Sequence, residues 1–361
     1  MHMQLRLTLV LVAAIAVAGC KAIGPGSVQR DRLDYANAIG DSWKEQALLN
    51  IVKLRYFDTP VFLDVASVIS SYTLQSEINV AAQSYPFSSP GSSANTNRRL
   101  GVTGTYTDRP TISYAPVTGE KYVATLLRPV PPQAIFAMIQ AGHQADYILQ
   151  AAVRAINDVY SYSGAPARAR SEDPTFRFVI NAFRRIQQAG ALGVRIEKRG
   201  GTEVTLIFFR ENTSDEVAKD IRLLKEALGL GADRKEIRLD FGALRHSDDQ
   251  IVLLTRSMME MLLEFSAGIE VPRQHLVEGR ARAVPESVAL AAPGEGPLVR
   301  IHSSSEPPSD AYVAVRYRNY WFWIDDLDPV SKRAFTFLRI FSSIAETGSV
   351  PQVPIITIPA N

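Results

Sequence analysis

This chain is short of cysteine, of histidine and of any excess of one charge. Its single cysteine among 361 residues stands at position 20, so no internal disulfide and no cysteine-based zinc site can form. The five histidines include no H-E-x-x-H or H-x₃-H pair, the spacings that bring two imidazoles to one helix face. A G-x-S-x-G nucleophile elbow and a P-loop are both missing, which removes the two commonest local signatures of hydrolase and nucleotide chemistry. With 39 basic and 37 acidic residues the net charge is +2, without the polybasic footprint of a dedicated nucleic-acid binder. At 46% hydrophobic and 21% charged, the chain also lacks the composition of a disordered protein. Its length suits one large or two modest domains.

What is present begins at the N-terminus. One Arg and no acid in residues 1–6 precede an apolar run from Leu7 to Gly19. As a helix that run covers about 20 Å, short of the roughly 30 Å hydrocarbon core, and its length fits a signal-peptide h-region. It ends in Val17-Ala18-Gly19-Cys20, which resembles the bacterial lipobox. The resemblance implies a signal peptide over 1–19, cleavage between Gly19 and Cys20, and a thioether-linked diacylglycerol on Cys20 with acylation of the new amine. Two or three acyl chains hold a protein stably on a bilayer where one does not. Lys21 stands where an Asp would signal inner-membrane retention, so the resemblance implies the outer membrane, on its periplasmic face. Residues 20–30, with Gly24, Pro25, Gly26 and Ser27, read as a lipidated tether that reaches at most about 35 Å.

The expected fold class is α+β. From Asp31 to Asp58 the apolar residues Ile39, Trp43, Ala47 and Ile51 recur every four positions, widened by Leu48, Val52 and Leu54, which predicts a helix ended by Thr59-Pro60 and offered a cap by Asp41-Ser42. Between 61 and 84 the period changes to two. Val68, Tyr72, Leu74, Ile78, Val80 and Ala82 share one parity, and Ser71, Thr73, Gln75, Glu77, Asn79 and Gln83 the other. After a Ser/Gly/Pro/Asn tract, Leu100, Val102, Gly104 and Tyr106 alternate with threonines. Together the two stretches predict a long amphipathic antiparallel hairpin over 68–114. Helices are expected at 133–140 and 144–159, with a domain boundary near 165 dividing 31–165 from 166–361. The second part is expected to open as a two-layer α+β unit: helix 173–189, a hairpin turning on Arg199-Gly200-Gly201-Thr202, helix 214–228 with Thr213-Ser-Asp-Glu216 as capping box, strand 237–241 and helix 249–267. An irregular connection follows at 278–310. The C-terminal part is expected as a strand-helix-strand: 311–324, 329–345 and a last strand at 355–358.

Three clusters carry side chains suited to chemistry or binding. His246 beside Asp248 and Asp249 has the makings of an oriented general base, although Ser247 or Asp248 as a helix cap explains the same residues. Asp325, Asp326 and Asp328 could hold a hard cation, but without calcium-loop spacing they read as caps meeting a helix dipole. The aromatic run Tyr317–Trp323 could stack on a sugar ring or a peptide, but alternation sends Trp321 and Trp323 to one face and Tyr320 and Phe322 to the other, the pattern of a central, buried strand. Gly229/Gly231 and Gly294/Gly296 read as turns. No catalytic residue, metal ligand or cofactor is expected.

Leu48-Leu-Asn-Ile-Val-Lys-Leu-Arg-Tyr56, Arg109-Pro-Thr-Ile-Ser-Tyr114 and Tyr320-Trp-Phe-Trp-Ile-Asp-Asp-Leu-Asp-Pro329 resemble a group of proteobacterial outer-membrane lipoproteins. That resemblance implies location and no activity. The expectation is a lipid-anchored envelope lipoprotein with a structural, assembly or protein-interaction role, whose partners are the membrane through Cys20 and an envelope protein or a second copy, not nucleic acid. The alternatives are a subunit of an oligomeric outer-membrane pore or ring built through the 68–114 hairpin, and an envelope hydrolase. In the second strand, Asp108 and Pro110 fall on the apolar parity and weigh against the pore.

Overall fold

The computed structural model describes residues 28–69, 72–84, 96–108, 111–163, 170, 172–283 and 297–346. The protein is α+β, and it divides into two compact units, Phe62–Val117 and the remainder.

Helix α1 (Val28–Arg55) begins three residues inside the expected tether and runs through Asp41-Ser42 without a break. Its C-terminal half carries the buried stripe Ala47, Leu48, Ile51 and Val52. The helix ends before Asp58 because Phe57 turns left-handed at φ 59°. The Asp58 N–H then closes onto Lys53 O and the Phe57 N–H onto Leu54 O, the reverse-turn closure that satisfies the last carbonyls. Asn50 fixes the exit, its side chain donating to Val61 O at 2.7 Å and accepting from Val61 N at 2.9 Å.

The unit Phe62–Val117 holds four strands, β1 (Leu63–Ile69), β2 (Tyr72–Ser84), β3 (Thr96–Asp108) and β4 (Thr111–Pro116). Strands β2 and β3 pair with each other, and β1 pairs with β4, both antiparallel.

The other unit continues with α2 (Gly119–Tyr122), which passes into a π-helical stretch Val123–Leu127, then α3 (Pro132–Gln140) and α4 (Ala145–Ala152). The expected helix 144–159 stops at Ala152. Residues beyond it form β5 (Val153–Ile156) and β6 (Val159–Tyr160), joined by Asn157-Asp158 at φ 44° and 67°, a two-residue turn with both φ positive as a tight hairpin needs. Next come α5 (Pro174–Gln188), β7 (Leu192–Arg199), β8 (Thr202–Phe209), α6 (Asp215–Ala227) and β9 (Glu236–Phe241). Asp173 caps α5 by accepting from Thr175 N at 2.8 Å. The expected capping box at Thr213 does not form: Ser214 is the N-cap of α6 and makes no side-chain cap bond. Gly200 and Gly201 turn the β7–β8 hairpin at φ 60° and 85°, as expected.

The expected helix 249–267 is instead strand β10 (Gln250–Thr255) followed by helix α7 (Met258–Ser266). Ser257 and Glu260 form a reciprocal capping box on α7. The run Gln250-Ile-Val-Leu-Leu-Thr is buried along almost its whole length, and a strand covered on both faces loses the alternation that would reveal it. Six strands then form one sheet in the order β6-β5-β10-β9-β8-β7, antiparallel except for β9 with β10. Because β5, with β6 at its outer edge, precedes residue 165 and pairs with β10 beyond it, the boundary expected there does not separate the compact units.

Helix α8 (Arg273–Val277) and strands β11 (His302–Ser304), β12 (Val313–Tyr317) and β13 (Tyr320–Ile324) follow. Strand β11 lies inside the connection expected to be irregular over 278–310. It pairs with β13, giving a second sheet of order β11-β13-β12. Central β13 buries Phe322 and Ile324 fully, with Trp321 and Trp323 half-buried. Helix α9 (Pro329–Glu346) ends the described chain, and the strand expected at 355–358 lies outside the described residues. The core of this unit buries Phe136 of α3, Phe183 of α5, Phe265 of α7, Phe322 of β13, and Phe335 and Phe341 of α9.

Candidate functional site

The hairpin unit takes its form from strand length and register. Both β2 and β3 have 13 residues, about 43 Å each at the usual rise. Tyr72 pairs with Asp108, Leu74 with Tyr106, Ile78 with Val102 and Val80 with Leu100. Residues directly opposite in an antiparallel pair lie on the same face, so the even-numbered residues of both strands share one face. The odd positions, which pair Thr73 with Thr107, Gln75 with Thr105 and Glu77 with Thr103, share the other. The second strand is longer than its uninterrupted apolar run suggested, and Asp108 is its last residue, with Pro110 beyond it. At the base, Leu63, Ile112 and Tyr114 are exposed. A register shift between Val65 and Ser67 marks a bulge, which reverses the facing of the strand. No third strand pairs with either ribbon among the described residues.

A polar cleft of about 240 Å³ lies in the larger unit, lined by Gln274, His275, Glu278, Arg280, Arg318 and Tyr320 among others. Its floor is His275, buried between the rings of Tyr56 (centroids 5.4 Å apart, edge-on) and Tyr320 (4.9 Å, edge-on). The Tyr56 hydroxyl lies 2.7 Å from His275 Nδ1. Burial pushes the Tyr56 phenol up to about 12, against the pull of Arg318, Arg55 and Arg280. Burial also lowers His275, Glu278 opposing and Arg280 and Arg318 assisting. The phenol is therefore protonated and the imidazole neutral near pH 7. Arg318 and Asn319 occupy left-handed φ of 47° and 70° at the β12–β13 turn. That turn carries the Arg318 guanidinium to Asp58 Oδ2 at 2.8 Å, an oxygen that also accepts from the Tyr317 hydroxyl. Glu278 accepts from Gln274 and from Arg280.

This cleft is not legible in the sequence. Its signals were the basic run Arg273-Gln-His-Leu-Val-Glu-Gly-Arg-Ala-Arg282 and the Arg-Asn turn. Neither points to a partner as distant as Tyr56.

A second buried polar site is organised by Arg256. Its guanidinium donates to the carbonyls of Gln150 (2.9 Å), Ala151 (3.2 Å), Val153 (2.8 Å) and Tyr162 (2.9 Å), and to Ser161 Oγ (2.8 Å). One side chain thus satisfies the carbonyls left open at the C-terminus of α4.

The residues singled out from the sequence fall as follows. Gly19, Cys20 and Lys21 lie outside the described residues, as do Gly294 and Gly296. Asp248 binds Arg234 at 2.8 Å and Asp249 accepts from Ser247, so neither carboxylate is hydrogen-bonded to the His246 imidazole. The helix these residues were expected to cap is absent there, since the chain enters β10. Asp325 accepts from Leu327 N at 2.8 Å and Asp326 pairs with Lys332 at 2.6 Å. Asp328 accepts from Val330 N and Ser331 N, capping α9. Burial alone would raise its carboxyl, but the bonds from Ser331 and Val330 hold it below the ordinary range. Among the described residues no group of three His, Cys, Asp or Glu is placed to hold a metal ion, and no helix is long and apolar enough to cross a membrane.

Compared with protein families, curated proteins and solved structures, the chain matches none of them.

Proposed function

We propose that this protein is a lipid-anchored component of the bacterial outer membrane, held by acyl chains on Cys20 and acting by assembly. Its hairpin is the assembling element: copies pair β3 of one with β2 of the next, closing a ring whose apolar face meets lipid. The observation that carries this reading is the register of β2 with β3, which aligns Leu74, Ile78 and Val80 with Tyr106, Val102 and Leu100. Each strand exceeds the 9–11 residues, approximately, that a tilted transmembrane strand needs. A lone two-stranded ribbon is marginal in water, and ring closure removes both of its open edges. Asp108 weighs less against insertion at the end of a strand than within it, because a charge costs about 2–4 kcal/mol at the midplane but about 0–1 near the interface. The opposite face, rich in Thr, Gln and Asn, suits a wet lumen.

A second reading is favoured by the exposed Leu63, Ile112 and Tyr114: the hairpin docks its open edge on an envelope partner without entering lipid.

Light scattering of the detergent-purified lipoprotein and conductance across planar bilayers test both. The ring predicts a discrete oligomer and stepwise currents, each abolished by Val80→Asp. A strict monomer without conductance overturns it and leaves edge docking.

A further inference from the structure

The polar cleft lies outside this assembly reading, and it has the features of a binding site. Three guanidiniums, Arg55, Arg280 and Arg318, act on the Tyr56 hydroxyl, while the carboxylates of Asp58 and Glu278 engage Arg318 and Arg280 respectively. The third cation, Arg55, is buried and does not line the cleft. Tyr56 and His275 are paired, the hydroxyl 2.7 Å from Nδ1. With the phenol as donor, the neutral imidazole carries its proton on Nε2. Among the described residues none accepts from Nε2, and in that tautomer His275 brings a donor to the cleft it lines. Among the described residues, Arg318 binds Asp58 through Nη2 and the Tyr317 hydroxyl through Nε, leaving Nη1, and Arg280 binds Glu278 through Nε, leaving both terminal nitrogens.

We propose that this cleft binds a phosphate group, held by Arg318 from the β-turn, Arg280 from the loop after α8 and His275 Nε2–H from below. Three donor groups converging from the β12–β13 turn and from α8 with its following loop suit a tetrahedral oxyanion better than a flat carboxylate, and guanidinium edges match phosphate oxygens. The volume of about 240 Å³ admits a phosphate with a small substituent, so free phosphate and a phospholipid headgroup share the required chemistry.

The test is calorimetric titration of the detergent-purified protein with inorganic phosphate and, separately, with glycerol 3-phosphate. Saturable binding is expected, weakened at least tenfold by Arg280→Gln, whose hydrogen-bonded partner among the described residues is Glu278. Arg273→Gln, a substitution of an exposed arginine on α8 that does not line the cleft, is expected to change affinity less than twofold. Tighter binding of glycerol 3-phosphate assigns the site to a headgroup, and equal or weaker binding assigns it to free phosphate. Nitrogen NMR of His275 is expected to show the Nε2–H tautomer, with its shift moving on phosphate addition. No saturable binding of either probe, or equal losses in Arg280→Gln and Arg273→Gln, overturns the proposal.

Discussion

The Tyr56 hydroxyl and His275 Nδ1 meet at 2.7 Å across 219 positions of sequence, tying the end of α1 to α8 inside a shell of aromatic rings. Both groups resist ionising there, in opposite directions. His275 has a folded value below its ordinary 6.5, so the unfolded chain takes up its proton first and stability falls as pH drops below about 6.5. Tyr56 has a folded value of about 12 against an ordinary 10.0, so its contribution is complete below pH 10 and is lost as pH rises toward 12. Thermal melts across pH are expected to show a plateau between these limits. Tyr56→Phe is expected to remove the alkaline contribution and to cost about 1 kcal/mol at pH 7, the net worth of one hydrogen bond.

Arg256 is the keystone of the junction between α4 and β5. Replacing it by Leu leaves four carbonyls and a hydroxyl without their donor in the interior, at about 1–3 kcal/mol for each group left unsatisfied, though not additively. The expected loss is at least about 3 kcal/mol, read from denaturant titration. Arg256→Lys is expected to recover only part of it, because an ammonium has three donors and no planar fork.

Gly268 stands where a Cβ would lie 1.7 Å from Val299 O. That carbonyl is backbone and cannot swing away. Gly268→Ala is therefore expected to lower the melting temperature by several degrees, corresponding to roughly 1–3 kcal/mol of overpacking. A variant as stable as the native protein would show that the 297–301 segment shifts freely.

The hairpin register is testable by cross-linking, helped by the near-absence of native cysteine. Ser76 and Gly104 are partners, so Ser76→Cys with Gly104→Cys is expected to form an intramolecular disulfide under mild oxidation. Ser76→Cys with Thr105→Cys puts the thiols on opposite faces and is expected to stay reduced. The reverse outcome, read by mobility on non-reducing gels, would mean a one-residue slip and would remove the matched apolar face.

The sequence by itself determined what short-range chemistry controls. Apolar spacing marked α1, α5 and α9, a diglycine marked the β7–β8 turn, and alternating parity marked the two strands of the hairpin. Asp328 was legible as a cap because a carboxylate before a helix has one favourable use. The expected lipid anchor at Cys20 rests on the sequence alone. Only the tertiary structure decided that Gln250–Thr255 is a strand, since a segment buried on both faces carries no period. It also decided that β5 and β6 join the sheet across the expected boundary, because a strand's pairing partner is not written in the strand. The Tyr56–His275 cleft and the Arg256 network belong to the same class. A hydroxyl, an imidazole or a guanidinium has its chemistry in the sequence, but what it binds depends on which distant segment the folded chain brings within 3 Å.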